Sequence, residues 1–245
     1  MKRILVVALL LSSFCVAQTA DEIINKAIAA RGGMDKIKSV QALQMEGTIS
    51  FGADEQGKLI AEWKRPGKFR QELVMNGKTI LRITNGREGW SLNPFAGDTA
   101  PRALAGDEIN LVAEQADFDK PLVDYKAKGN SVELIGKEAV EGKDTYKLKL
   151  TLKNGAVRYE NIDATSFLET KWNGKIANGD KDVEFNTFFR DYKTVNGLQF
   201  PFTIDTDTVG SDAKQKIVFD KIDVNSALSE ARFEKPPAEP VATPK

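Results

Sequence analysis

The stretch TYKLKLTLK, residues 145–153, alternates with a period of two. Tyr146, Leu148, Leu150 and Leu152 fall on one side; Lys147, Lys149, Thr151 and Lys153 fall on the other. That period belongs to an extended chain, and its chemistry asks for a sheet with one dry face and one wet face. The pattern continues outward from this strand. In QALQMEGTISF, residues 41–51, Leu43, Met45, Ile49 and Phe51 alternate with Gln44, Glu46, Thr48 and Ser50. Turn signals at Gly52 to Gly57, Pro66-Gly67, Asn76-Gly77 and Asn85-Gly86 then separate expected strands near 58–65, 69–76, 79–84 and 88–92. Asn-Gly supplies the positive backbone angles of a two-residue hairpin. Past residue 130, strands are expected near 131–136, 144–153, 157–163, 166–173, 182–192, 199–206 and 214–223, punctuated by Asn154-Gly155, Asn173-Gly174 and Asn196-Gly197. About twelve strands joined by short hairpins make a meandering antiparallel sheet, which twist curls into an open or closed barrel.

Helices are few. Thr19-Ala20-Asp21-Glu22 matches a capping box, Ile24, Ala27 and Ile28 share one face, and Gly32-Gly33 supplies the stop. A short helical turn around Met34 and Ile37 follows. Between 94 and 125 the sheet pauses around a helix beginning at Asp107, with Ile109, Val112 and Ala116 on one face. The fold class is mainly β with a few helices.

The first seventeen residues have the form of an export signal: Lys2 and Arg3, an apolar run from Ile4 to Leu11, and Cys15-Val16-Ala17 before a cut at Gln18. Such a run falls short of the ~20 apolar residues that span a bilayer. The domain reading is therefore signal 1–17, a single domain 18–237 and a disordered tail 238–245. An alternative is lipid anchoring at Cys15, against which Phe14 stands in the preceding position. Removing Lys2 and Arg3 leaves 33 basic against 35 acidic residues, a net charge of −2. That balance offers no phosphate-seeking surface, so nucleic acid is excluded as a partner.

The chain has no histidine, and its one cysteine lies in the signal. Disulfides, Ser-His-Asp and Cys-His catalysis, and zinc sites of imidazole or thiolate are all excluded from the mature chain. No metal or cofactor is expected. The acidic pairs Asp107-Glu108 and Asp117/Asp119 are read as surface charge. Residues 52–58 imitate a phosphate-binding loop, but Leu59 stands where a hydroxyl belongs and a strand follows. Residues 205–210 imitate a calcium loop, but Val209 and Lys216 replace oxygen ligands. Both are read as turns.

What remains is an apolar sheet face. Leu59, Ala61 and Trp63 continue it, then Phe69, Leu73 and Met75, then Leu81 and Ile83; Phe185, Phe189, Phe200, Phe202 and Phe219 extend it. In NGREGWSLNPF, residues 85–95, Trp90 and Leu92 share a face and Phe95 follows Asn93-Pro94. Two readings fit: an ordinary core, or the wall of a cavity for an apolar ligand. Antiparallel barrels of more than about eight strands commonly enclose such space.

At Lys64-Arg65-Pro66, Phe69, Asn85-Gly86, Trp90 and Asn93-Pro94-Phe95, the chain resembles the LolA-type lipoprotein carriers. Phe233 and Pro236-Pro237 look like that family's closing residues. The resemblance is strongest over residues 46–95, and its order of elements extends over most of 20–237. It implies a strongly curved, incomplete antiparallel barrel lidded by helices, with no enzymatic activity and a periplasmic location. The implied task is to shield the acyl chains of lipoproteins, or another lipid, on the way to the outer membrane. An inner-membrane donor complex and an outer-membrane acceptor are implied partners, and the protein is expected to be a monomer. A non-carrier sensor or assembly module of the same shape is one alternative, and an enzyme acting on an apolar substrate through carboxylates or tyrosines is another.

On this resemblance the cavity is lined by Leu43, Met45, Ile49, Leu59, Trp63, Phe69, Leu73, Leu81, Trp90, Leu92, Phe95, Leu148, Leu150 and Phe185. Arg65 matches the family arginine that latches the lid to the barrel. The helices at 21–31 and 107–116 are the lid, with Ile24, Ile28, Ile109 and Val112 facing inward.

Overall fold

The computed structural model describes residues 18–178 and 181–237; the expected signal and tail lie outside them. Helix α1 (Ala20–Ala30) opens with the reciprocal cap. Thr19 accepts from the Glu22 amide at 3.2 Å, and the Glu22 carboxylate accepts from the Thr19 amide at 3.0 Å. Ile23, Ile24, Ala27 and Ile28 form its buried face. Gly32 ends it at φ +125°, where a Cβ would stand 2.5 Å from the Gly197 carbonyl oxygen. The link into α2 (Met34–Ser39) is thereby pressed against the Asn196-Gly197 turn.

The next six strands are β1 (Ala42–Phe51), β2 (Glu55–Lys64), β3 (Lys68–Met75), β4 (Lys78–Thr84), β5 (Gly89–Leu92) and the two-residue β6 (Arg102–Ala103). Helix α3 (Asp107–Gln115) interrupts. Then come β7 (Ser131–Val140), β8 (Lys143–Thr151), β9 (Val157–Asp163), β10 (Glu169–Asn178), β11 (Lys181–Val195), β12 (Leu198–Thr208) and β13 (Lys214–Val224). All thirteen join one antiparallel sheet in the order β6-β5-β4-β3-β2-β1-β13-β12-β11-β10-β9-β8-β7, not closed into a barrel. Each arm is a meander, and the β1–β13 pairing joins the two arms. The free edges, β6 and β7, are consecutive in the chain.

The segment between those edges carries α3 across the interior. Trp63 of β2 donates from Nε1 to the Gln115 carbonyl at 2.8 Å, while Arg158 of β9 meets the Glu114 carboxylate at 2.6 Å. One short helix thus touches strands from both arms, which requires the sheet to curl around it.

Three details depart from the sequence reading. Asn173-Gly174 is not a turn: it lies within β10, opposite Asn186 and Phe185 of β11. The β7–β8 turn, for which the sequence reading named no residues, is made by Glu141 and Gly142, at φ +50° and +78°. Strand β6 is too short to show any period.

The concave face is filled. Leu43, Met45, Ile49, Leu59 and Leu73 from one arm meet Leu148, Leu150 and Ile162 from the other, beneath Ile24 and Ile28 of α1. On the convex side, the chain after β13 straps across β1–β3. Phe233 is fully buried against Ala42 and Leu228. Arg232 donates to both oxygens of the fully buried Glu62, at 2.9 and 2.7 Å.

Candidate functional site

Arg65 sits just past the end of β2, where the chain turns at Pro66-Gly67. Its guanidinium donates to the Val40 carbonyl from Nε at 2.7 Å and to the Ile37 carbonyl from Nη2 at 3.2 Å. These carbonyls close helix α2, so a cation there also meets the negative end of the helix dipole. The remaining donors grip Asp119, Nη1 on Oδ2 at 3.1 Å and Nη2 on Oδ1. Phe118 lies under the guanidinium, 5.5 Å from ring centre to Cζ.

Asp119 is the hub. It is 3% exposed and accepts a further bond from Lys38 Nζ of α2 at 2.7 Å. Its carbonyl accepts from Arg31 Nη1, at the end of α1, at 2.9 Å. Burial pushes its pKa up, but hydrogen bonds from Arg65 and Lys38 outweigh burial and hold it below the usual carboxylate value. One carboxyl residue therefore ties α1, α2 and the segment after α3 to the end of β2. The reading of Asp117/Asp119 as surface charge is corrected for Asp119. A short acidic run such as ADFDK cannot show which acid the tertiary fold turns inward.

Beside this node, at the mouth of the curved sheet, lies a hollow of about 220 Å³. Leu43 and Trp63 form its sheet side, Ala113, Ala116 and Phe118 its helical side, and Arg65 its rim. A second hollow of about 30 Å³ lies between α1 and β9–β10.

Of the residues expected to line a cavity, Leu43, Trp63 and Arg65 border the larger hollow. Met45, Ile49, Leu59, Leu73, Leu148, Leu150, Ile24 and Ile28 are in the packed interior. Phe69 and Val112 form a smaller cluster with Ala61 and Ala116, and Ile109 leans its Cδ1 on Gly89. Phe185 shares the concave face through Gly174, Arg158 and Leu150, and meets Trp172 edge-on at 4.8 Å.

Register moves the 81–95 segment elsewhere. Directly paired residues share a face. Phe69 pairs with Trp63 and Thr84, and Thr84 in turn with Gly89, whereas Leu81 pairs with Glu72 and Leu92, and Ile83 with Arg70 and Trp90. Leu81, Trp90 and Leu92 are consequently on the convex face, with Glu62 and Arg70. Phe95 is 46% exposed in a short 3₁₀ turn (Pro94–Ala96), with Lys78 Nζ 5.0 Å from its ring centre. The expectation that this segment walls the cavity is corrected: the β3–β4 turn at Asn76-Gly77 sets a register that puts the apolar residues of 81–92 on the side away from the helices.

The sequence reading also passed over Arg158 and Glu160. In VRYENID, residues 157–163, the aromatic Tyr159 faces outward while Arg158 and Glu160 face inward, opposite Leu150 and Leu148. Glu160 is 2% exposed and accepts from Arg158 Nε at 3.0 Å. Burial and the neighbouring Glu169 raise its pKa, with Arg158 and Lys120 opposing them.

No family sequence model matches the chain, and no curated relative matches it. Several solved structures do. A LolA superfamily protein from Nitrosomonas europaea superposes with a TM-score of 0.60 at 15% identity, covering 89% of this chain and 99% of that one. A DUF1329 family protein from Desulfovibrio piger gives 0.59 at 16% identity, covering 87% and 96%. A domain assigned to outer membrane lipoprotein sorting in Vibrio parahaemolyticus gives 0.55 at 12% identity, covering 86% and 94%. At these identities the likeness is one of fold: the single antiparallel sheet, not closed into a barrel, matches LolA-like fold neighbours.

Proposed function

We propose that this protein is a periplasmic carrier that shelters acyl chains, of a lipoprotein or another lipid, between its curved sheet and its helices. The observation that carries the reading is the Arg65–Asp119 node. It is an ion-paired fastening set at the seam between an apolar sheet face and apolar helices. A permanent seam gains little from burying charge, since desolvation offsets much of the attraction. A seam that opens gains a defined closed position.

The form described is the closed one. A hollow of about 220 Å³ falls below the roughly 300–1,000 Å³ usual for ligand pockets, so loading requires the helices to move off the sheet. The energetics permit exchange. Ile24 and Ile28 of α1, with Leu122 and Val123 of the segment after α3, are buried, worth about 6–12 kcal/mol together at ~1.5–3 kcal/mol each. A sixteen-carbon chain contributes about 12 kcal/mol at ~0.8 kcal/mol per methylene. Set against each other, the two terms differ by about 0–6 kcal/mol, so cargo that replaces lid side chains on the sheet is held by less than its full transfer free energy, which suits a protein that must release what it carries. An inner-membrane donor and an outer-membrane acceptor belong to the same reading.

Native mass spectrometry of protein purified from its own envelope tests it. Adducts with the mass of acyl-bearing molecules are the expected result. Protein that carries no lipid and takes up no palmitate refutes the reading, and recovery of a stoichiometric partner protein instead points to an assembly module.

A further inference from the structure

The smaller hollow, between α1 and β9–β10, is chemically divided. Ile24, Ile28, Ile162 and Phe167 line one part; Arg31, Lys120, Glu160 and Glu169 line the other. Its volume, about 30 Å³, is about that of one water molecule. That size is set by where α1 rests, because α1 forms one wall and the sheet the other.

The charged part breaks the local pattern of the strand that supplies it. Arg158 and Glu160 take the inward positions of β9, where neighbouring β8 presents Leu148 and Leu150. Buried ion pairs of this kind are often matched or bettered in stability by apolar residues of similar volume. Departures from local consistency concentrate where a protein has a task.

Most of the charges are already answered. Lys120 Nζ is 2.6 Å from Glu169 Oε2, and Arg158 bridges Glu160 and Glu114. Arg31 differs. Its Nη1 donates to the Asp119 carbonyl, and among the described residues it has no carboxylate within 4.0 Å. Burial lowers its pKa, against the opposing influence of Glu169, Tyr192, Asp119 and Glu160. A guanidinium has five donors in a planar fork suited to two oxygens of one anion.

We propose that this hollow is the head-group end of the lipid site, and that Arg31 receives a single anionic group, carboxylate or phosphate, of an amphiphile whose chain lies along Ile24, Ile28 and Ile162. This rests on the carrier reading above and adds to it the chemical class of the cargo. When the N-terminal turns of α1 lift, the apolar part widens into the chain channel while the charged part stays in place: Arg31, at the C-terminal end of α1, is held by the Asp119 carbonyl and by the bond its own carbonyl accepts from the Gln199 amide at 2.9 Å, and Glu160 and Glu169 lie on β9 and β10. Glu160 and Glu169 remain paired to Arg158 and Lys120, so the incoming anion meets Arg31 as the unanswered charge.

Displacement of a fluorescent fatty acid reads the preference directly, with four sixteen-carbon probes: palmitate, hexadecyl phosphate, hexadecanol and hexadecyltrimethylammonium. Wild-type protein is expected to bind one or both anionic probes at least tenfold more tightly than hexadecanol. The two anionic probes compared with each other distinguish a phosphate site from a carboxylate site. Arg31→Gln brings the anion-to-alcohol ratio to within about twofold, and Arg31→Lys, which keeps the charge, retains most of it. Equal affinity for anion and alcohol in the wild type, or tighter binding of the ammonium probe, overturns the proposal while leaving the carrier reading intact. If no probe binds, the carrier reading fails with it. If Arg31→Gln does not fold, the wild-type ranking and Arg31→Lys still decide: loss of the preference with lysine in place counts against an electrostatic role.

Discussion

Replacing Arg65 with leucine separates a latch from an ordinary structural residue. The side chain makes bonds to the Ile37 and Val40 carbonyls and grips both oxygens of Asp119. Truncating one partner of a buried ion pair costs about 3–5 kcal/mol. Two features reduce that figure here. The Arg65 side chain is 29% exposed, and Lys38 remains 2.7 Å from Asp119 after the change. Solvent screening at that exposure brings the expected loss to about 2–3 kcal/mol. At ~1.4 kcal/mol per decade, the closed-to-open ratio of the helices falls about 30- to 150-fold. Hydrogen exchange followed by mass spectrometry measures it, because locally opening segments exchange independently of the global transition. Amides of α2 and of 116–125 should exchange faster by that factor, while those of β8 and β9 keep their protection. Acceleration of β8 and β9 by the same factor assigns Arg65 to the whole fold, and unchanged exchange in α2 leaves nothing latched. Either outcome refutes the reasoning.

Acid should loosen the same node. The folded pKa of Asp119 lies below its unfolded value, because hydrogen bonds from Arg65 and Lys38 outweigh its burial. Its contribution is therefore fully present above the unfolded value, about pH 4, and is lost as pH falls through the folded value. Thermal melts from pH 7 to 3 should show a drop that Asp119→Asn largely removes; equal acid sensitivity in the two proteins contradicts it. Phe233→Ala should destabilise the protein by about 3 kcal/mol, since the ring is fully buried on the convex side; urea denaturation showing less than about 1 kcal/mol means the strap is dispensable. Two glycine changes should differ in kind. A Cβ at Gly47 meets the Val218 carbonyl oxygen at 2.1 Å, while one at Gly89 meets the Ile109 side-chain tip at 2.6 Å. Gly47→Ala should cost more than about 3 kcal/mol because backbone must move, and Gly89→Ala about 1–3 kcal/mol. Adding Ile109→Ala should recover stability for Gly89→Ala and not for Gly47→Ala, read from the same melts.

How far the site can be read from the chain varies residue by residue. Arg65 is legible because a short motif at a strand end fixes its place. Its partner Asp119 is not: it is 54 positions away, and its own neighbourhood looks like solvated charge. The inward face of β8 is plain from Leu148 and Leu150, yet that of β9 is hidden, since Tyr159 is the greasier residue and points outward. In β10 the Asn173-Gly174 pair carries a turn signal that pairing on both sides overrides.

By itself, the sequence determined the class of structure: alternation requires an antiparallel sheet with one dry face, Asn-Gly pairs set several of its hairpins, and a capping box starts α1. These are interactions between residues a few positions apart, so they survive without knowledge of the rest. The tertiary structure alone decided which face each of β3, β4 and β5 turns toward the helices, that the break in the sheet falls between β6 and β7, and that Arg31, Arg65 and Asp119 converge. A shift of one residue in register exchanges the two faces of a strand, and contacts across the curl join residues far apart in sequence, so neither leaves a local trace.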